Sequence, residues 1–236
     1  MQRTDENSTR ARLARAMATF GLSVRWDDLE LRLPDDAELL DLADVAADGV
    51  HAPEAAPFSV QWTRGTADEV RRQVLTHHWR VRQRLDPDDW GLELGVYVGG
   101  RIVGAQGIGA KGFPVTRAAH TGSWLGMAHQ GRGIGTRMRL AVLHLAFDGL
   151  GAAEVASEAF VDNPASNAVS RRLGYELNGV YPAVRDGKPA HEYRYRMTRE
   201  AWDRRPGELR PAIEIEGADP VRDLLGITTA EPPSAA

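Results

Sequence analysis

The strongest constraint on this chain is a hairpin near its centre. "WGLELGVYV", Trp90 to Val98, and "RIVGAQGIGA", Arg101 to Ala110, are β-type runs that flank Gly99-Gly100. A two-glycine link accepts the positive φ values of a tight reverse turn, so the flanking runs become antiparallel neighbours. Parallel neighbours would need a long crossover instead. Further strands are predicted at "TGSWLGM", at "AAEVASEAFV", and twice within "YELNGVYPAVRDGKPAHEYRYRMT". Leu29, Leu31 and Leu33 alternate along "LSVRWDDLELRLP" and predict one strand ending at Pro34. Helical spacing appears between these runs. Leu13, Ala16, Met17 and Phe20 share one face of a short docking helix. Asp35 or Asp36 caps "DAELLDLADVA", and Thr66 or Asp68 starts a long helix carrying Val70, Val74, His77 or His78, and Val81. Ile134, Met138, Ala141, Val142 and Leu145 line another, and "NPASNAVSRRLG" closes on Gly174. The class is therefore α+β, not a doubly wound sheet.

The 236 residues suit one domain with appended termini. We divide them into a helical extension over 1–22, a domain over 23–203 and a Pro- and acid-rich extension over 204–236. In that last part "DPVRDLLGI" predicts one short helix, and the last ten residues are expected to be disordered. No apolar run is long enough for a membrane span, and the N-terminus has no signal-peptide core, so the default compartment is the cytoplasm. The absence of cysteine excludes disulfides, thiol nucleophiles and cysteine metal clusters. A net charge of −4 argues against nucleic acid as a partner but leaves a small cationic acceptor or a basic protein tail open. It also disfavours a role on tRNA-borne amines. Adjacent His77 and His78 point apart on a helix and have no companion ligands, so no metal site is expected. Arg10, Arg12 and Arg15 read as a solvated helix face, and Asn7-Ser8-Thr9 as a glycosylation sequon without a secretory context. A homo-oligomer is left open.

Two glycine patterns invite a phosphate reading. Gly107, Gly109 and Gly112 spell G-x-G-x-x-G, but Phe113-Pro114 follows where a dinucleotide fold needs a helix. Gly131-Arg132-Gly133-Ile134-Gly135 has the right context, because a strand precedes it and an amphipathic helix follows. Glycine backbone N–H groups can crowd round an anion, and the helix N-terminus adds partial positive charge. Arg132 adds a cation and Thr136 a hydroxyl. The run continues Thr136-Arg137 rather than Lys then Ser/Thr, which excludes a nucleotide-hydrolysing P-loop. The run reads either as a pyrophosphate cradle or as a glycine-rich turn without ligand.

A family resemblance narrows this choice. "Q-G-R-G-I-G" after "W-L-G-M-A-H" resembles the coenzyme A loop of the GNAT N-acetyltransferases, Q/R-x-x-G-x-G/A, with Gln130, Gly133 and Gly135 in the named positions. "D-N-P-A-S-N-A-V-S-R-R-L-G-Y-E-L-N-G" resembles the N-x-x-S … L-G-F-x-x-x-G segment of the RimJ/RimL-like branch. Asn163, Ser166, Leu173, Gly174 and Gly179 match there, and Tyr175 replaces the usual Phe. "L-R-L-P" at Leu31 to Pro34 resembles that branch's first strand. The likeness spans roughly residues 26–199. It implies a GNAT fold, a mixed and mostly antiparallel sheet with splayed central strands and flanking helices. It also implies an acyl-CoA cosubstrate in the splay, most simply acetyl-CoA, with succinyl-CoA as an alternative.

By the same resemblance, backbone groups at Trp124 and Leu125 pair with the pantetheine arm, and the Leu125 N–H polarises the thioester carbonyl. N–H groups from Gly131 to Thr136 hold the pyrophosphate. Asn163 bonds the pantetheine, and Ser166 reaches the sulfur as proton donor. Asn163-Pro164 also reads simply as a helix start. Tyr175 is a rival acid or a core residue. His120 stands where relatives often carry Glu; it is a candidate base or a solvated histidine. Glu93 and Glu158 are further strand carboxylates. Phe58, Trp62 and Trp79 line a pocket or pack the core. The expected activity is direct acyl transfer to a primary amine of a protein or small molecule. A coenzyme A-binding regulatory module without turnover is the alternative from a different class.

Overall fold

The computed structural model describes residues 8–228. The sequon at Asn7 and residues 229–236 of the tail lie outside the described residues.

The N-terminal segment contains α1 (Thr9–Ala16), then a 3₁₀ turn over Ala18–Gly21. The docking face expected on the helix is not used, since α1 has no buried residue. Contact is made by the turn instead, where Thr19 is buried and Ala18 and Phe20 pack against the core. The single strand expected around Leu29 is two, β1 (Ser23–Trp26) and β2 (Leu29–Arg32), paired antiparallel. Asp27 makes the reversal at φ 52°, a left-handed conformation that Asp tolerates better than most residues.

Capping chemistry starts the next helices as anticipated. Asp35 caps α2 (Asp36–Ala47) in a reciprocal box with Glu38, and Thr66 caps α3 (Ala67–Arg82) in a box with Glu69. The central hairpin follows, with β3 (Leu85–Asp86) beside β4 (Asp89–Val98) and then β5 (Arg101–Lys111). After α4 (Phe113–Thr116) come β6 (Ala118–Leu125), α5 (Ile134–His144) with a π turn over Leu145–Gly149, and β7 (Glu154–Phe160). The domain continues through α6 (Pro164–Arg172), β8 (Glu176–Arg185), β9 (Lys188–Thr198) and α7 (Arg199–Asp203). Last are β10 (Glu214–Glu216) and α8 (Ala218–Leu224).

These strands form one 10-stranded sheet in the order β10-β1-β2-β4-β5-β6-β7-β9-β8, with β3 on β4. Every pairing is antiparallel except β6 with β7. Apolar residues sort to the two faces by strand alternation. Leu92, Leu94, Val96 and Ile108 face the larger core with α5. Tyr97, Ile102 and Ala105 face α2 and α3 through Leu39, Leu42, Val70 and Val74. The C-terminal segment closes one sheet edge: β10 pairs with β1, and Val221, Leu225 and Ile227 are buried in the larger core. Ile227, the first of the last ten residues, is therefore ordered by packing. Among the described residues, no helix is long and apolar enough to cross a membrane.

On α3 it is His78 that is buried, at 2 % exposure, and its pKa is lowered to about 4 by burial. The unfolded chain binds a proton near pH 6.5 that the folded chain refuses until about pH 4. Stability is thus fully present above pH 6.5 and falls as the pH drops toward 4. Denaturant titrations at pH 7 and pH 5 should differ by about 2 kcal/mol from this group alone. His78→Leu should shrink the difference by that amount; an unchanged difference would contradict the assignment.

Candidate active site

The central feature is a break in pairing. The β6–β7 register ends at Thr121↔Ser157, while β6 runs on to Leu125 and β7 to Phe160. The two strands splay and open a cleft of about 1590 Å³. The bond from Gly126 N to Val103 O sets the phase of the β5–β6 ladder. Trp124 faces Ala105 as a hydrogen-bonded pair. Ser123 and Leu125 instead turn their N–H and C=O toward the splay. Gln130 confirms the phase by donating its side-chain N–H to Leu125 O at 2.9 Å and to Val50 O at 2.7 Å. So Leu125 and Ser123, rather than Trp124, offer backbone groups to a ligand, and Trp124 enters the cleft by its indole ring. Gln130 positions the loop.

The glycine run meets the cleft at the start of α5. Gly131 and Gly133 have φ values of 72° and 78°, and a Cβ at either would meet no atom within 4 Å. The helix's first bonds run from Thr136 N and Arg137 N to Gly133 O. The N–H groups of Gly131 to Gly135 precede these and find no acceptor among the described residues, as a helix start dictates. Gly131, Gly133, Gly135 and Thr136 line the cleft. This cradle of unpaired donors fits a pyrophosphate. Arg132 is exposed and off the cleft wall, and the Ile134 side chain is buried in the core, so that residue offers only its backbone. Asn163 and Ser166 lie on the same wall. Asn163 caps α6, its Oδ1 accepting from Ser166 N at 3.1 Å, with Pro164 next. The capping and binding readings coexist, because the cap uses only the amide oxygen. The Ser166 hydroxyl stands in the first turn of α6, where partial positive charge favours a nearby anion.

The opposite face of the splay carries three carboxylates and a histidine. Alternation places Glu93, His120, Glu158 and Glu192 on the α3 side, and all four line the cleft. Glu93 lies over Gly107, where a Cβ would sit 2.7 Å from its Oε1. It accepts from His77 Nε2 at 3.2 Å, and this hydrogen bond raises the His77 pKa. Glu158 pairs with Arg194 at 2.7 Å. Glu192 has its pKa raised by burial and then by Glu158. The His120 ring lies over Gly109, and its pKa is lowered by desolvation and then by Arg84.

The aromatic residues do both jobs left open above. Phe58 and Trp62 line the cleft and also stack, Phe58 on Trp62 at 5.2 Å and Trp62 on Trp124 at 5.3 Å. Trp79 lies off the cleft and donates to Asp36 Oδ1 at 3.3 Å. Tyr175 is buried in the larger core, and burial raises its pKa; the core reading holds and the rival-acid reading does not. His77, Glu192 and Arg139 were not anticipated. Arg139 alone carried a signal, a charge inside the apolar run "MRLAV".

Comparison with known proteins agrees with this geometry. The acetyltransferase (GNAT) domain family matches residues 28–176. A RimL ribosomal L7/L12 alpha-N-protein acetyltransferase in complex with coenzyme A superposes with a TM-score of 0.60 at 23% identity, over 75% of this chain and 97% of that one. The Salmonella typhimurium acetyltransferase that modifies the N-terminal serine of ribosomal protein L7/L12 gives 0.58 at 23% identity, over 73% and 96%. The microcin C7 self-immunity acetyltransferase MccE, in complex with acetyl-CoA and AMP, gives 0.54 at 20%, over 73% and 93%. A splayed β6–β7 pair, a donor-rich loop opening α5 and a family match over most of the domain converge: this chain belongs to the GNAT acetyltransferase family.

Proposed function

We propose that the chain transfers an acyl group directly from acyl-CoA to a primary amine, with the amine received at the carboxylate-lined face of the splay. The observation that carries this reading is the unpaired Leu125 N–H placed between that face and the α5 loop. GNAT acetyltransferases use acyl-CoA, which supplies an activated thioester. The N–H groups from Gly131 to Gly135 and the Thr136 hydroxyl hold its pyrophosphate, and Asn163 and the backbone of Ser123 and Leu125 hold the pantetheine arm. Glu93 and Glu192 favour an ammonium over neutral or anionic acceptors. His120 takes the ammonium proton before attack, the Leu125 N–H stabilises the oxyanion, the second proton leaves the nitrogen to solvent as the amide forms, and Ser166 passes a solvent-derived proton to the departing sulfur. The C–N bond forms as the C–S bond breaks. RimL acts on a protein α-amine, so a protein N-terminus leads the acceptor classes, with lysine and small amines next. The acyl group is acetyl in the simplest case and succinyl in the alternative.

Coenzyme A thiol release across a panel of amines and peptides tests the proposal. Release with at least one amine is expected. Silence across the panel with intact acyl-CoA binding would favour a module that binds without turnover. The pH profile separates the bases. His120 must be neutral to act, and its lowered pKa keeps it so at pH 7. Arg84, Asp89, Glu93 and Glu158 all act on that ring. kcat/KM should therefore fall only below the ordinary histidine value of about 6.5. His120→Gln should lose this acidic limb and roughly 100-fold in rate. A limb that survives in the variant would move the role to a carboxylate.

A further inference from the structure

Arg139 sits on the apolar face of α5, only 4 % exposed, among Met138, Leu140, Ala141 and Val142 of the larger core. Its Nη1 donates to Ser157 Oγ at 2.7 Å and its Nη2 to Ser123 Oγ at 3.2 Å. Its Nε is buried without a partner, and no carboxylate pairs with it among the described residues. A guanidinium has five N–H donors, and desolvating its charge without an anion is unfavourable. Arg139, Ser123 and Ser157 all line the cleft. Each serine oxygen accepts from the arginine, so each hydroxyl proton is free to be donated onward. The cluster thus presents one uncompensated cation flanked by two donors, which is the recognition chemistry of a carboxylate.

The loop's pyrophosphate does not supply that anion. Arg139 lies six residues beyond Gly133, about 9 Å further along the helix axis. Its partner Ser157 marks the convergent end of the splay, the last residue paired with β6. That end is where the acyl group belongs if the acyl-transfer reading above holds, on which this inference rests. We propose that Arg139, Ser123 and Ser157 form a receptor for a carboxylate at the far end of the acyl group, so that the donor is the coenzyme A thioester of a short dicarboxylic acid such as succinate. The same chemistry explains why a buried arginine without an acidic partner is compatible with this core: the ligand completes the pair.

Calorimetry of the intact protein with succinyl-CoA, acetyl-CoA and free coenzyme A tests this without relying on turnover. Succinyl-CoA should bind at least about tenfold more tightly than acetyl-CoA, the scale of one charge-assisted contact. Arg139→Met should bring that ratio to within about twofold of unity. Ser123→Ala with Ser157→Ala leaves the charge in place and should lower the ratio part of the way. This second variant covers the case in which Arg139→Met does not fold. Equal binding of the two thioesters by the wild type, or a ratio that survives in a folded variant, would overturn the receptor and leave the acyl-transfer reading intact. Failure of all three ligands to bind would instead overturn the coenzyme A site, and the receptor with it.

Discussion

Gly133→Asp lowers acyl-CoA affinity by roughly 100-fold or more, while the protein keeps its fold. The size follows from placing a carboxylate within a few ångströms of a bound phosphate, worth about 3–4 kcal/mol at the effective dielectric of a protein surface. The fold survives for three reasons. Gly133 is left-handed at φ 78°, and Asp is among the residues that tolerate this conformation. The new Cβ meets no atom within 4 Å. Gly133 also stands at the N-terminus of α5, where the partial positive charge of the helix favours a nearby carboxylate. Helix preference and ligand preference therefore pull in opposite directions, which makes the experiment decisive. Gly133→Asn has nearly the same shape and no charge, and should lose far less affinity. Calorimetry on both variants reads the difference. Unchanged affinity in Gly133→Asp would remove the pyrophosphate from this loop.

Ser166→Ala lowers kcat by roughly 100-fold, the ordinary scale of a lost general acid, while acyl-CoA affinity changes by less than about threefold. The contrast is clean because the local structure depends on the backbone of Ser166, not on its hydroxyl. Asn163 Oδ1 accepts from Ser166 N at 3.1 Å, and alanine keeps that bond. Asn167, whose side chain ties α6 to Phe160 O at 3.0 Å and accepts from Tyr195 at 3.1 Å, is untouched. The variant removes only the hydroxyl proposed to serve the departing sulfur. Single-turnover rates and calorimetry on the same sample separate the two effects. Equal losses in rate and affinity would reduce Ser166 to a binding contact.

Much of the site was legible because it depends on local rules. Gly131 to Gly135 followed by the apolar stripe of α5 is a helix start with free N–H groups wherever it folds. Asn163-Pro164 is a cap by its own chemistry. Less was legible where alternation had to be counted across strands. Trp124 and Leu125 looked equivalent, yet one residue of phase gives Trp124 to β5 and Leu125 to the splay. Arg132 looked like the loop's cation and is solvated. Glu192, on the distant β9, reaches the cleft only because β9 pairs with β7. The double aspartate Asp27-Asp28 hid a turn, because the left-handed φ of Asp27 leaves no mark in hydrophobic spacing.

The sequence by itself determined the antiparallel centre, the helix starts and the loop with free N–H groups, since each follows from the φ range, capping groups and side-chain period of neighbouring residues. Only the tertiary structure decided which strand edge stays unpaired, which carboxylates gather on one face and what surrounds Arg139. Those outcomes depend on register between segments far apart in the chain, and a one-residue shift would send every side chain to the opposite face.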